Sequence, residues 1–169
     1  MKMKALLIIA PQNFRDEEYF HTKEELEKAG MGTITASRST ETAAGMMGGT
    51  ARPDLGLKEV DVNDYDAVLF IGGNGSSIYF NNPVALDIAR KADAAGKVVG
   101  AICIAPSILA NAGLLKGKKV TSFPSEESNL RAKGADYTGD GLTVDGRIIT
   151  ADGPSSARDF GRAVARALG

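Results

Sequence analysis

Cysteine and histidine are almost absent from this chain, whose 169 residues contain one cysteine, one histidine and no tryptophan. A single cysteine excludes an internal disulfide bond, and one cysteine with one histidine cannot supply a closed zinc site of Cys and His ligands. The sequence therefore predicts no metal site and no cofactor. The lack of disulfides is typical of a protein that works in a reducing cytoplasm.

An excess of charge and long apolar runs are also missing. The 20 Lys and Arg residues against 21 Asp and Glu residues leave a formal net charge of -1, so no electrostatic hold on nucleic acid is expected. No apolar run approaches the roughly 18 residues that a membrane-spanning helix needs. The short apolar stretch at residues 5–10 is interpreted as a buried strand and not as a signal peptide. The sequence thus predicts neither nucleic acid nor a membrane as a partner.

Short apolar runs alternate with amphipathic stretches along the chain, which is typical of a parallel sheet with helices on both faces. Strands are predicted at residues 5–10, 32–37, 67–71, 98–102 and 119–122, and helices at 17–29, 83–95, 106–112, 125–133 and 155–168. Residues 142–144 and 148–150, joined by Asp145-Gly146, predict a β-hairpin. Residues 39–63 predict loops with short extended pieces. The length fits one doubly wound α/β domain over residues 1–169.

The lone cysteine, Cys103, lies where an apolar strand passes into a helix that begins near Pro106. Small residues two positions to either side, Ala101 and Ala105, permit the sharp, strained turn on which nucleophiles are often presented. The first amides of the following helix would favour a thiolate. A lone cysteine flanked by isoleucines is otherwise a small buried apolar residue. Cys103 is nevertheless the best candidate for a catalytic nucleophile.

Residues that follow neighbouring parallel strands are expected to converge, because ligands bind beyond the carboxyl ends of such strands. Here these residues are Glu17 and Glu18, Gly72 and Gly73, and Cys103. A nucleophilic sulfur needs amides that stabilise developing negative charge and a group that transfers protons. We predict that the amides of Gly72, Gly73 and Ile104 form an oxyanion hole, and that Glu18 exchanges a proton with Cys103 or with a bound substrate.

An ordered set of motifs resembles the ThiJ/PfpI superfamily, which includes intracellular cysteine peptidases, redox proteins and deglycases. The motifs are Phe14-Arg15-Asp16-Glu17-Glu18, Gly72-Gly73, Ala101-Ile102-Cys103-Ile104-Ala105-Pro106, residues 114–124, residues 144–150 and Gly153-Pro154. The resemblance implies a flavodoxin-like sandwich that forms a homodimer or larger homo-oligomer. It also implies a strained, oxidisable cysteine beside a glutamic acid, and Cys103 and Glu18 match these two positions.

The chain departs from that family at three positions. The peptidase branch places a histidine directly after the cysteine, where this chain has Ile104. The glyoxalase-like branch can use a histidine before the proline of the next strand, where this chain has Phe123. Arg15 stands where PfpI-like members often carry an acidic residue. The one histidine, His21, shares a helix face with Glu18 and either approaches the site or simply packs and meets water.

Three functions remain open, and all of them use Cys103. We favour a cofactor-free glyoxalase- or deglycase-like enzyme that acts on small reactive carbonyls, with Cys103 attacking and Glu18 moving protons. The first alternative is a redox sensor in which Glu18 stays protonated and gives Cys103 a low pKa, so that peroxide oxidises the sulfur. The second alternative is a PfpI-like peptidase or amidase, which is disfavoured because no histidine follows the cysteine.

Overall fold

The computed structural model describes residues 2–169, and this part of the chain contains twelve strands and five α-helices. The strands are β1 (Lys4–Ile8), β2 (Gln12–Phe14), β3 (Gly32–Ser37), β4 (Ala43–Gly45), β5 (Thr50–Ala51), β6 (Leu55–Gly56), β7 (Ala67–Phe70), β8 (Val98–Ile102), β9 (Lys119–Val120), β10 (Asp136–Tyr137), β11 (Leu142–Asp145) and β12 (Ile148–Ala151). The helices are α1 (Asp16–Lys28), α2 (Pro83–Ala94), α3 (Pro106–Asn111), α4 (Glu127–Ala132) and α5 (Ala157–Leu168).

Seven strands form the central sheet in the order β11-β12-β8-β7-β1-β3-β6. All neighbouring strands are parallel except β11 and β12, which form the antiparallel hairpin. The predicted α/β architecture is thereby confirmed. Because β1, β7 and β8 are adjacent and parallel, the segments that follow Ile8, Phe70 and Ile102 meet at one edge of the sheet.

Alternate residues of the central strands enter two separate cores. In β1, Leu6 and Ile8 belong to the core that α2, α3 and α4 cover, while Ala5 and Leu7 belong to the core beneath α1 and α5. This division follows from the two-residue period of a strand. Burial of both faces also explains why these strands are continuous apolar runs in the sequence.

Helix α1 is fixed on the sheet by its contact with α5. A Cβ atom at Gly161 would lie 3.0 Å from the Cβ atom of Glu25, so glycine allows the two helices to approach closely. The carboxylate of Glu25 accepts hydrogen bonds from Arg158 at 2.6 Å and Arg162 at 3.1 Å. These contacts hold α1 in place, and its first turn carries Glu18.

The predicted helices and strands agree with the structure to within two residues at most ends. One difference is that β9 is only two residues long and pairs with β10 in a separate two-stranded sheet. Residues 39–63 contain three short strands and two short 3-10 segments, in line with the prediction of loops and extended pieces. No helix within residues 2–169 combines the length and the apolar character needed to cross a membrane.

Candidate active site

Cys103 lies on a strained turn directly after β8. Its φ is 66°, in the left-handed region that residues other than glycine rarely adopt. Its N–H donates to the carbonyl of Ala151 at 2.9 Å, and its carbonyl accepts the N–H of Phe123 at 2.7 Å. Two neighbouring segments therefore hold the turn predicted from the sequence, and the thiol is left half-buried at the carboxyl edge of the sheet.

Glu18, in the first turn of α1, is completely buried. Its exposure is 0%, and neither carboxyl oxygen has a partner of full hydrogen-bond geometry among residues 2–169, although the Cys103 thiol and the N–H of Gly72 are close enough to lower its pKa. A buried polar group without a partner destabilises a fold, so a carboxyl in this state points to a chemical role. A Cβ atom at Gly72 would touch both Oε1 of Glu18 and the Cβ atom of Cys103, so the carboxyl and the thiol are neighbours, and each shifts the pKa of the other.

Gly72 lies between the acid and the thiol. A Cβ atom at this position would overlap Oε1 of Glu18, and it would lie 2.6 Å from the Cβ atom of Cys103 and 2.7 Å from the carbonyl oxygen of Ile102. Two of these three neighbours belong to the strained turn and cannot move easily. Glycine is therefore required here because the two reactive side chains approach each other across its α-carbon.

Replacement of Gly72 with alanine is expected to separate Glu18 from Cys103. The added methyl group should lower the free energy of unfolding by about 1–3 kcal/mol through overpacking, and a displaced thiol should react about 100-fold more slowly in catalysis. Thermal unfolding measures the first effect, and the rate at which a small 2-oxoaldehyde is converted measures the second. Gly153→Ala is the matched control, because a Cβ atom there would have no neighbour within 4 Å. Equal behaviour of the two variants would contradict this role for Gly72.

The predicted oxyanion amides divide between the two reactive groups. The N–H groups of Gly73 and Ile104 act on the Cys103 sulfur and lower its pKa, although other influences outweigh them, whereas the N–H of Gly72 acts on the Glu18 carboxyl. Gly73 has a φ of 101°, so its backbone conformation favours glycine. The oxyanion hole of three amides stays a prediction, in which the amides of Gly73 and Ile104 are those that lower the pKa of Cys103.

Burial raises the pKa of Glu18 from 4.5 to about 8. The Cys103 thiol, the positive charge of Arg15 and the N–H of Gly72 act in the opposite direction without overcoming burial. Glu18 is therefore mostly protonated at neutral pH, and it loses its proton in the mildly alkaline range.

The structure does not support a lowered pKa for the Cys103 thiol. Burial, followed by the nearby Glu18 carboxylate, raises the pKa of Cys103 to about 12. The helix that was expected to favour the thiolate is only the six residues of α3, and it begins three residues after the cysteine. The acid and the thiol thus titrate as a coupled pair that loses its first proton near the pKa of Glu18.

Arg15 is a charged residue of the site that the sequence analysis noted only as a departure from the family. Its N–H donates to the carbonyl of Gly72 at 3.0 Å, and its guanidinium donates to Glu17 through Nε at 3.1 Å and Nη2 at 2.9 Å. The pKa of Arg15 is raised, first by the hydrogen bonds to Glu17 and further by the charges of Glu18 and Cys103. The available signal was its position one helical turn before Glu18.

His21 lines a surface hollow to which neither Glu18 nor Cys103 contributes. It is half-buried, and the hollow has a volume of about 630 Å³. The other lining residues are Glu17, Pro154, Ser155, Arg158, Asp159 and Arg162. This position fits packing and contact with water, and a role for His21 in the chemistry stays a prediction. No cluster of three His, Cys, Asp or Glu side chains that could hold a metal ion occurs among residues 2–169.

Known proteins are similar to this chain over nearly its whole length. A profile of the DJ-1/PfpI family matches residues 3–167. The crystal structure of a ThiJ/PfpI domain protein from Brachyspira murdochii is similar with a TM-score of 0.96 and 36% identity, covering 99% of this chain and 98% of that one. A deglycase of Pyrococcus abyssi is 31% identical, covering 88% of this chain and 90% of its own. A glutathione-independent glyoxalase of Caenorhabditis elegans is 27% identical, covering 97% of this chain and 88% of its own. The chain therefore belongs to the DJ-1/PfpI family.

Proposed function

We propose that this protein is a cofactor-free enzyme that converts small 2-oxoaldehydes such as methylglyoxal, or their adducts, into 2-hydroxy acids. The observation that carries the proposal is the Glu18 carboxyl, which is fully buried, lacks a partner of full hydrogen-bond geometry within residues 2–169 and adjoins the Cys103 thiol. The similarity to a deglycase and a glyoxalase supports the same reaction class.

The reaction begins with addition of the sulfur to the aldehyde carbon. The Glu18 carboxylate accepts the thiol proton while the bond between sulfur and carbon forms and the carbonyl π bond breaks. The amides of Gly73 and Ile104 stabilise the negative charge that develops on the oxygen. Glu18 then returns the proton to this oxygen, which gives a hemithioacetal and restores the carboxylate.

A second proton transfer completes an internal oxidation and reduction. Glu18 removes the hydrogen of the former aldehyde carbon as a proton and delivers it to the adjacent ketone carbon, and the proton of the hemithioacetal hydroxyl passes to the ketone oxygen. The first carbon loses two electrons and becomes a thioester, while the second gains two electrons and becomes an alcohol. Water then hydrolyses the thioester, which releases the 2-hydroxy acid and the free thiol. The sequence consumes one water molecule and needs no external oxidant or reductant.

The same geometry favours this reaction over the two alternatives. A redox sensor benefits from a thiol of low pKa, but burial and Glu18 raise the pKa of Cys103 to about 12. A cysteine peptidase needs an imidazole beside the sulfur, and the structure places His21 in a hollow that Cys103 does not line. A buried base beside the thiol fits proton transfers that exclude bulk water.

Incubation of the protein with methylglyoxal, and separately with hydrogen peroxide, tests the proposal. We expect lactate to accumulate over many turnovers in the first incubation, as measured by chromatography and mass spectrometry. Gain of two oxygen atoms on Cys103 in the second incubation, with no lactate in the first, would instead select the redox sensor. Cleavage of casein, again without lactate, would select the peptidase.

A further inference from the structure

Arg15 has hydrogen-bond donors that the protein itself does not use. A guanidinium carries five N–H groups, and the two hydrogen bonds to Glu17 occupy one on Nε and one on Nη2. Nη1 has no acceptor among residues 2–169 within hydrogen-bond distance. The side chain is 28% exposed. Three N–H groups therefore remain available to a ligand that enters the site.

The same residue is built into the turn that borders the thiol. The backbone N–H of Arg15 bonds to the carbonyl of Gly72, and a Cβ atom at Gly73 would overlap the backbone nitrogen of Arg15. Gly72 in turn adjoins the Cβ atom of Cys103. The backbone of Arg15 is thus in contact with the glycine pair, which in turn contacts Cys103. This contact anchors the backbone of Arg15 beside the site, and the guanidinium lies close enough for its charge to interact with Glu18 and Cys103.

We propose that Arg15 binds a carboxylate of the substrate, so that the enzyme prefers 2-oxoaldehydes carrying a carboxylate over neutral ones of the same length. This inference rests on the function proposed above and specifies its substrate class. Guanidinium recognises carboxylates through paired, charge-assisted hydrogen bonds, for which its planar fork is suited. Conversion of 4,5-dioxopentanoate and water into 2-hydroxyglutarate balances in the same way as conversion of methylglyoxal into lactate.

Neutralisation of Glu17 should have the opposite effect to neutralisation of Arg15. The Glu17 carboxylate pairs with Arg15 and offsets the positive charge, and it occupies two of the five donors. Removal of the Glu17 charge frees those donors and leaves Arg15 uncompensated. The preference for anions should therefore fall when Arg15 is neutralised and rise when Glu17 is neutralised. A residue that only supports the fold would not change the preference in opposite directions.

Alkylation of Cys103 by iodoacetate and by iodoacetamide measures this preference without turnover. The two reagents have nearly the same shape and differ in charge, and the ratio of their rate constants cancels any change in the fraction of thiolate. Relative to free cysteine, the ratio should favour iodoacetate in the parent. It should fall about tenfold in Arg15→Gln, which corresponds to one charge-assisted contact, and should rise in Glu17→Gln. Arg15→Lys should retain part of the preference, since a point charge remains.

The control is Lys58→Gln, which removes an exposed positive charge beyond the edge strand β6 and should leave the ratio unchanged. A second measurement compares kcat/KM for 4,5-dioxopentanoate with kcat/KM for neutral 2-oxopentanal, and it should follow the alkylation ratios across the variants. An alkylation ratio that is equal in the parent and in Arg15→Gln would overturn the inference. If the ratios shift as expected while no variant converts any aldehyde, the carboxylate subsite is supported and the proposed reaction is refuted.

Discussion

Replacement of Cys103 with serine is expected to abolish conversion of methylglyoxal into lactate, with a fall in rate of at least about 1,000-fold. A serine hydroxyl has nearly the size of the thiol but is a much weaker nucleophile at neutral pH. Cys103 is the only cysteine in the sequence, so no other thiol can replace it. Lactate formation under saturating substrate measures the effect.

The structure also provides the control for this variant. The turn at residue 103 is held by backbone hydrogen bonds to Ala151 and Phe123, which serine retains. The melting temperature of Cys103→Ser should therefore remain within a few degrees of that of the parent, because near-isosteric changes cost little. Retention of a substantial part of the activity in a well-folded serine variant would show that the sulfur is not the nucleophile.

Replacement of Glu18 with glutamine is expected to change the pH dependence of stability. Burial raises the pKa of Glu18 from 4.5 to about 8, so the folded protein keeps a proton that the unfolded chain has already lost. The stability that the protonated carboxyl contributes is fully present below its pKa in the unfolded chain and is lost as the pH rises through its pKa in the folded protein. Glutamine does not titrate. The free energy of unfolding of the variant, minus that of the parent, should therefore grow by a few kcal/mol between pH 5 and pH 8.5, because each unit of pKa difference is worth about 1.4 kcal/mol.

Denaturant unfolding of both proteins at these two pH values measures the gain. Glu17→Gln is the matched control, because Glu17 is partly exposed and its pKa is lowered by the hydrogen bonds to Arg15. The stability that Glu17 contributes is fully present above the ordinary carboxyl pKa. The difference in free energy of unfolding between Glu17→Gln and the parent should therefore stay constant over this range. A constant difference for Glu18→Gln as well would mean that the buried carboxyl is already ionised at pH 5.

The order of strands and helices was predictable from sequence because this fold buries both faces of its central strands. The continuous apolar runs at β1, β7 and β8 indicate strands that are buried on both faces of a parallel sheet, and Asp145-Gly146 indicates the turn of the hairpin. Residues 39–63 were less informative because their structure depends on distant contacts. The N–H groups of Met47 and Gly49 donate to the carboxylate of Asp16 at 2.8 and 2.7 Å. The residue pattern of this segment does not indicate its hydrogen bonds to Asp16.

The proximity of Glu18 to Cys103 was likewise predicted, because residues that follow neighbouring parallel strands meet at one edge. The direction of the shift in the pKa of Cys103 was not predicted correctly. It depends on how far the thiol is buried and on the distance to the Glu18 carboxylate, and neither quantity is encoded in local residue patterns. The free donors of Arg15 were missed for a similar reason, since they become visible only when the pairing with Glu17 is known.

The central claim is that Glu18 and Cys103 act as one base and nucleophile, and the pH dependence of kcat/KM for methylglyoxal tests it most directly. The account predicts that kcat/KM of the parent rises with pH to a plateau, with a midpoint near the pKa of about 8 that burial gives Glu18. Glu18→Gln should lie about 100-fold or more below that plateau and show no such midpoint. A Glu18→Gln variant that retains both the rate and the pH profile of the parent would contradict the account.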